Sequence, residues 1–124
     1  MVEDDPHFRL FLDSLLGVSG RHEVVATAAS AEEAIAWPKQ PAPHVALVDV
    51  GLPGQSGSQL VGDLLTKFPG LLVIMVSAVS DDAVVMEAIR RGATGYVLKG
   101  VSGPEIIAAW LAAHPAEAAA GYRV

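Results

Sequence analysis

Asp49 closes the apolar run Val45-Ala46-Leu47-Val48, Ser77 closes the run from Leu71 to Val76, and Lys99 closes Tyr96-Val97-Leu98. A further polar cluster, Glu3-Asp4-Asp5, stands directly before the first helical pattern. If the runs are strands of one parallel sheet, these groups converge on the edge formed by the carboxyl ends. Several carboxylates, a hydroxyl and an ammonium at one rim are not a core pattern. Crowded carboxylates repel one another, and a divalent cation with oxygen ligands relieves that repulsion. Mg²⁺ suits the set, because it keeps waters and takes only one or two carboxylates plus a phosphate oxygen. A lysine and a hydroxyl could hold the other oxygens of a phosphoryl group. These residue types point to Mg²⁺-dependent phosphoryl transfer to a carboxylate.

The elements that must position these groups alternate between helical and strand patterns. Phe8, Phe11, Leu12, Leu15 and Leu16 share one helical face, with Asp5 as cap, Pro6 in the first turn, and Gly17 and Gly20 at the end. Val24 to Ala28 reads as a short strand. Ser30-Ala31-Glu32-Glu33 is a capping box that opens a second helix, stopped by Pro38. Val45 to Val48 and Leu71 to Val76 are apolar throughout, as strands buried on both faces are. Between them Gly51, Pro53, Gly54 and Gly57 mark a loop, and Val61, Leu64, Leu65 and Phe68 a third helix. Ser80, Asp81 and Asp82 are cap candidates for a helix carrying Val85, Ala88 and Ile89. Pro104 starts a last helix with Ile107, Trp110 and Leu111 on one face. Alternating strands and helices predict βα units and a parallel sheet with right-handed crossovers.

Composition narrows the function classes. The chain has 124 residues, a size for one domain, and a net charge of −6. Its 52% hydrophobic and 18% charged residues argue against disorder. With no cysteine, a disulfide scaffold, a thiolate metal site and a cysteine nucleophile are excluded. No apolar run approaches the roughly 18 residues of a membrane helix, and Met1 to Asp5 is acidic where a signal peptide is basic. A cytoplasmic protein with no membrane partner is expected. Negative charge opposes phosphate-backbone binding, so DNA binding is not expected of this chain alone. His7, His22, His44 and His114 lack metal-ligand spacing, and the glycines after Asp49 lack the Lys-Ser/Thr of a nucleotide loop.

Four motifs in order resemble a known family. Val2-Glu3-Asp4-Asp5-Pro6, Leu47-Val48-Asp49-Val50-Gly51-Leu52-Pro53, Val76-Ser77-Ala78 and Gly95-Tyr96-Val97-Leu98-Lys99 are similar to the response-regulator receiver domains of two-component signalling. GLPGQSG and GYVLK resemble the branch with LuxR/NarL-type helix-turn-helix output domains. The resemblance implies a flavodoxin-like (CheY-like), doubly wound parallel α/β sheet of five strands in the order 2-1-3-4-5. It implies Asp49 as phosphoacceptor and a Mg²⁺ site of Glu3, Asp4, Asp49 and the Gly51 backbone carbonyl, with Asp4 favoured over Glu3 as direct ligand. Ser77 and Lys99 would hold the phosphoryl group, and Tyr96 would be the aromatic switch. The partners implied are a sensor histidine kinase and a second copy of the chain. Residues 1–117 would form the receiver, and residues 118–124 the start of a linker to a DNA-binding domain.

Two departures stand out. Only Met1-Val2 precede the acidic pair where the family has a whole strand, usually about 5–6 residues. A misassigned or trimmed start, a stub, or a slot filled by another segment would each account for it. Gly100 follows Lys99 where many receivers have proline. Two other functions compete with the switch. A phosphatase forming an aspartyl-phosphate of the haloacid-dehalogenase type needs a second Asp two residues after the nucleophile, and Gly51 stands there, so an enzyme is not expected. A degenerate receiver, acting as a phosphate-independent interaction module, has the shortened N-terminus as its only support, and retention of Asp4, Asp49, Ser77 and Lys99 argues against it.

Overall fold

The structure is a computed structural model that describes residues 1–18, 22–23, 25–40, 42–52, 57–78, 82–99 and 122–123. In chain order the elements are α1 (Pro6–Val18), β1 (His22–Glu23), α2 (Ala31–Ile35), β2 (Val45–Asp49), α3 (Gly57–Lys67), β3 (Leu72–Ser77), α4 (Asp82–Arg90), β4 (Gly95–Leu98) and β5 (Tyr122–Arg123). β2, β3 and β4 form a parallel sheet in that order. Every residue of β2 and all but the first of β3 are buried, which explains why both are apolar without alternation. The register pairs Asp49 with Val76 and Ser77 with Leu98, so the polar residues that end these strands share one edge.

The short N-terminus forms a stub. Val2 donates to Leu47 O at 2.7 Å and accepts from the Asp49 N–H at 2.9 Å. On its other side Met1 O accepts from Ala28 N–H, and Ala28 O from Glu3 N–H, both at 2.9 Å. Read across the molecule, the order is Ala28, Val2, β2, β3, β4, which is the expected 2-1-3-4-5 with the first two members reduced to single bridges. Residues 25–27 do not extend the expected Val24–Ala28 strand, although the Met1 amine donates to Ala26 O at 3.0 Å. His22–Glu23 pair instead with Tyr122–Arg123 in a separate parallel ladder. An apolar cavity of about 60 Å³ is lined by Met1, Ala26, Trp37, Val45 and Phe68 among others.

Local signals account for most element ends. Asp5 Oδ1 accepts from His7 N–H at 2.9 Å, capping α1 with Pro6 as its first residue. Ser30 Oγ accepts from Glu33 N–H at 3.2 Å, while Glu33 reaches back to Ala29 N–H at 2.8 Å, one residue beyond the usual capping box. Other expectations need correction. α1 continues through Gly17 to Val18. α2 ends at Ile35, ahead of Pro38, because proline disfavours helical backbone in the residue before it and Lys67 Nζ takes up the Ile35 and Trp37 carbonyls. Phe11 and Ile89, both assigned to packed stripes, are 54% and 47% exposed. In α4 only Ala88 is buried, so a small residue lets α4 approach α3 and leaves Ile89 outside. Ser80, Asp81, Gly20 and the last helix with Trp110 lie outside the described residues.

Candidate functional site

Asp49 is the last residue of β2 and is buried. The chain turns directly after it, and Gly51 N–H donates to Asp49 Oδ1 at 3.0 Å. Gly57, the first residue of α3, lies against the backbone of Asp49: a Cβ on it would lie 2.2 Å from the Asp49 carbonyl oxygen. Glycine is therefore required where the start of α3 crosses the backbone of Asp49.

Lys99 follows β4, and its N–H donates to Ser77 O at 2.6 Å. Its ammonium stands 3.1 Å from Asp49 Oδ2 and also meets Glu3 Oε1. Glu3 leaves the stub at the same edge and is 3% exposed. Among the described residues no hydrogen-bond donor reaches its Oε2. Asp4 is exposed, and carboxylate oxygens of Glu3, Asp4 and Asp49 lie within 4.8 Å of one another. Three carboxylates so close, one with an orphaned buried oxygen, are a donor set a small divalent cation fits.

The charges respond to one another. Burial pushes the Glu3 carboxyl up to about 8, and the neighbouring Asp49 pushes it the same way against the pull of Lys99. Asp49 goes down: burial alone would raise it, but Glu3, the Gly51 N–H, Asp4 and Lys99 together outweigh burial. The two carboxyls are therefore pushed apart, and Glu3 holds a proton more readily than Asp49 does. Burial works against the charge on Lys99, but the two carboxylates raise it above the usual lysine value.

Beside these groups an open cleft of about 310 Å³ is lined by Asp49, Gly51, Ser77, Val84 and Lys99 among others. The structure thus brings Glu3, Asp4, Asp49, Gly51, Ser77 and Lys99 to one edge. Ser77 is buried at the end of β3. Tyr96 stands apart: it is half-buried on β4 beside Met75 and packs against the apolar core. Two residues of the site lay hidden in the sequence. Gly57 reads there as one more loop glycine, and Phe8 as one apolar member of a helical stripe, yet the Lys99 ammonium lies 4.8 Å from the centre of the Phe8 ring. The position of Phe8 in the first turn after the acidic cluster was the available signal.

The family model for the response regulator receiver domain matches residues 1–111. The DNA-binding transcriptional activator DevR/DosR of Mycobacterium tuberculosis is 37% identical over 106 residues, covering 86% of this chain and 49% of that protein. The transcriptional regulatory protein LnrK of Bacillus subtilis is 31% identical, covering 92% of this chain and 52% of that protein. The chain spans about half the length of these curated relatives. Among solved structures, the signal receiver domain of the response regulator NarL from Mycobacterium tuberculosis superposes with a TM-score of 0.79 at 32% identity, covering 90% of each chain. No described helix is long and apolar enough to cross a membrane. With a family model matched over residues 1–111 and the CheY-like sheet order in place, the chain belongs to the response regulator receiver domain family.

Proposed function

We propose that this receiver is a phosphorylation-dependent switch that accepts a phosphoryl group on Asp49 from a phosphohistidine of a sensor histidine kinase. The observation that carries this reading is the placement of one buried carboxylate, Asp49, 3.1 Å from the Lys99 ammonium and beside two further carboxylates. An Asp49 oxygen attacks phosphorus in line, the new O–P bond forms as the N–P bond breaks, and the imidazole leaves with the bonding pair. Lys99 offsets the charge that gathers on the phosphoryl oxygens, and the Ser77 hydroxyl donates to one of them. Glu3, Asp4, Asp49 and the Gly51 carbonyl would hold Mg²⁺. When bound, that ion supplies the positive charge that lets a dianionic phosphoryl group approach a carboxylate. Binding of a cation there would favour the ionised form of Glu3. Tyr96 serves as the aromatic element that responds to the state of Ser77.

Residues 1–117 act as the receiver part of a cytoplasmic transcriptional regulator, with residues 118–124 opening the linker to a helix-turn-helix domain that binds DNA. Phosphorylation then acts through a second copy of the chain, as a homodimer. The names of the relatives and their twofold greater length support this reading. Intact mass after incubation with acetyl phosphate and Mg²⁺ tests it, beside an Asp49→Ala control. Gain of one phosphoryl group by the wild type alone is the expected result, and equal masses before and after would refute it.

A further inference from the structure

The Lys99 ammonium is held from two sides. On one side are the carboxylates of Glu3 and Asp49; on the other is the ring of Phe8, with its centre 4.8 Å from Nζ. Phe8 is half-buried in the first turn of α1, whose start Asp5 fixes. It shares a narrow cleft with Val2, Leu47 and Val76 and with the carboxyl-bearing Glu3 and Asp49. The helical stripe asks only for an apolar side chain at position 8, and leucine would satisfy it. What leucine lacks is the negative face of an aromatic ring, which attracts a cation.

We propose that Phe8 is a positioning residue for Lys99, holding the ammonium over Asp49 while the carboxylates around it change their charge. The inference rests on Asp49 being the phosphoacceptor. A lysine ammonium sits on a flexible four-carbon stem and is strongly hydrated, so it needs fixed neighbours to stay in one place. Its two carboxylate neighbours are the groups a divalent cation claims and phosphorylation modifies. The ring neither titrates nor binds the cation. Unlike those carboxylates, it stays constant through the cycle.

The test uses the full chain with acetyl phosphate and Mg²⁺, following the rate of phosphoryl gain by intact mass. Phe8→Leu is expected to slow the reaction about threefold to fivefold, the scale of one cation–π contact, while Phe8→Trp keeps the wild-type rate. Pentafluorophenylalanine at position 8 keeps the shape and reverses the charge of the face, so it should match Phe8→Leu even if that variant folds poorly. In a Lys99→Ala background, Phe8→Leu should add nothing. A wild-type rate for the fluorinated protein, or an equal further loss in the Lys99→Ala background, would overturn the proposal. No gain by the wild type would instead sink the phosphoacceptor reading. A second measurement stands apart from the reaction: the Lys99 Cε protons should resonate upfield through the ring current, lose that shift in Phe8→Leu, and keep it when Mg²⁺ is added. Loss of the shift with Mg²⁺ would overturn the proposal whatever the rates.

Discussion

Lys99 Nζ stands 3.1 Å from Asp49 Oδ2, although β2, which Asp49 ends, and β4, which Lys99 follows, are separated by β3. The parallel register makes this possible. Asp49 ends level with Val76, Ser77 ends level with Leu98, and Lys99 comes one residue later. Its long side chain then spans the width of one strand. Removing the ammonium leaves two close carboxyl groups with no cation between them. Lys99→Ala is expected to lower the rate of phosphoryl gain from acetyl phosphate on the order of a hundredfold, as loss of a preorganised charge-stabilising group does. Intact mass against time measures it, and an unchanged rate would remove Lys99 from the reaction.

Gly57 makes a sharper prediction about the backbone. A Cβ there would lie 2.2 Å from Asp49 O and 2.9 Å from Val50 Cα, and neither is a flexible side-chain tip. Gly57→Ala should therefore cost about 1–3 kcal/mol, the scale of overpacking, and slow phosphorylation by shifting Asp49. Gly62→Ala is the control on the same helix. Its Cβ would meet nothing within 4 Å, so alanine should be neutral or stabilise by about 0.4–1 kcal/mol. Chemical denaturation of both variants separates the two cases.

Much of this was legible in the sequence because the signals were local. The apolar runs ending at Asp49 and Ser77 could be little other than buried strands, and the acids and the lysine at their ends pointed to one edge. The capping box at Ser30 fixed the start of α2 within the sequence itself. What was hidden depended on distant parts of the chain. Whether Met1-Val2 could serve as a strand depended on Leu47, Asp49 and Ala28, far away in sequence, supplying partners. Periodicity placed Phe11 and Ile89 on apolar stripes, but a stripe does not say how much of it a neighbour covers. Gly57 and Phe8 carry no motif; each acquires its meaning only from what it approaches in space.

Ser30 provides a test of structure without chemistry. Its hydroxyl accepts from Glu33 N–H at 3.2 Å and opens a helix of only five residues. So short a helix has little stability of its own, and the cap is a large share of it. Ser30→Ala should cost about 1 kcal/mol and leave the phosphorylation rate unchanged, since α2 contributes no residue to the site. A thermal melt and the acetyl phosphate assay on one preparation check both halves.

Glu3 predicts how pH and metal act together. Burial and the Asp49 carboxylate raise its folded pKa to about 8, above the roughly 4.3 of an exposed glutamate. Between those values the folded protein holds a proton that the unfolded chain has released. The stability that Glu3 contributes to the metal-free protein is therefore fully present below about 4.5 and declines as pH rises towards 8, while the buried Met1 amine, lowered by burial to about 5, contributes in the opposite direction as pH rises from about 5 to 8. Asp49 also runs opposite to Glu3, because its folded pKa is lowered, but its contribution changes only in the acid range below that window. A divalent cation must displace the Glu3 proton, so its binding should tighten with pH over the same interval. Titration with Mg²⁺ at pH 6, 7 and 8, read by the melting temperature, measures this. Glu3→Gln carries no such proton, so it should leave the metal-free stability rising with pH through the Met1 amine and flatten the rise in metal affinity. A rise in metal affinity with pH that survives in Glu3→Gln would assign the displaced proton to another group.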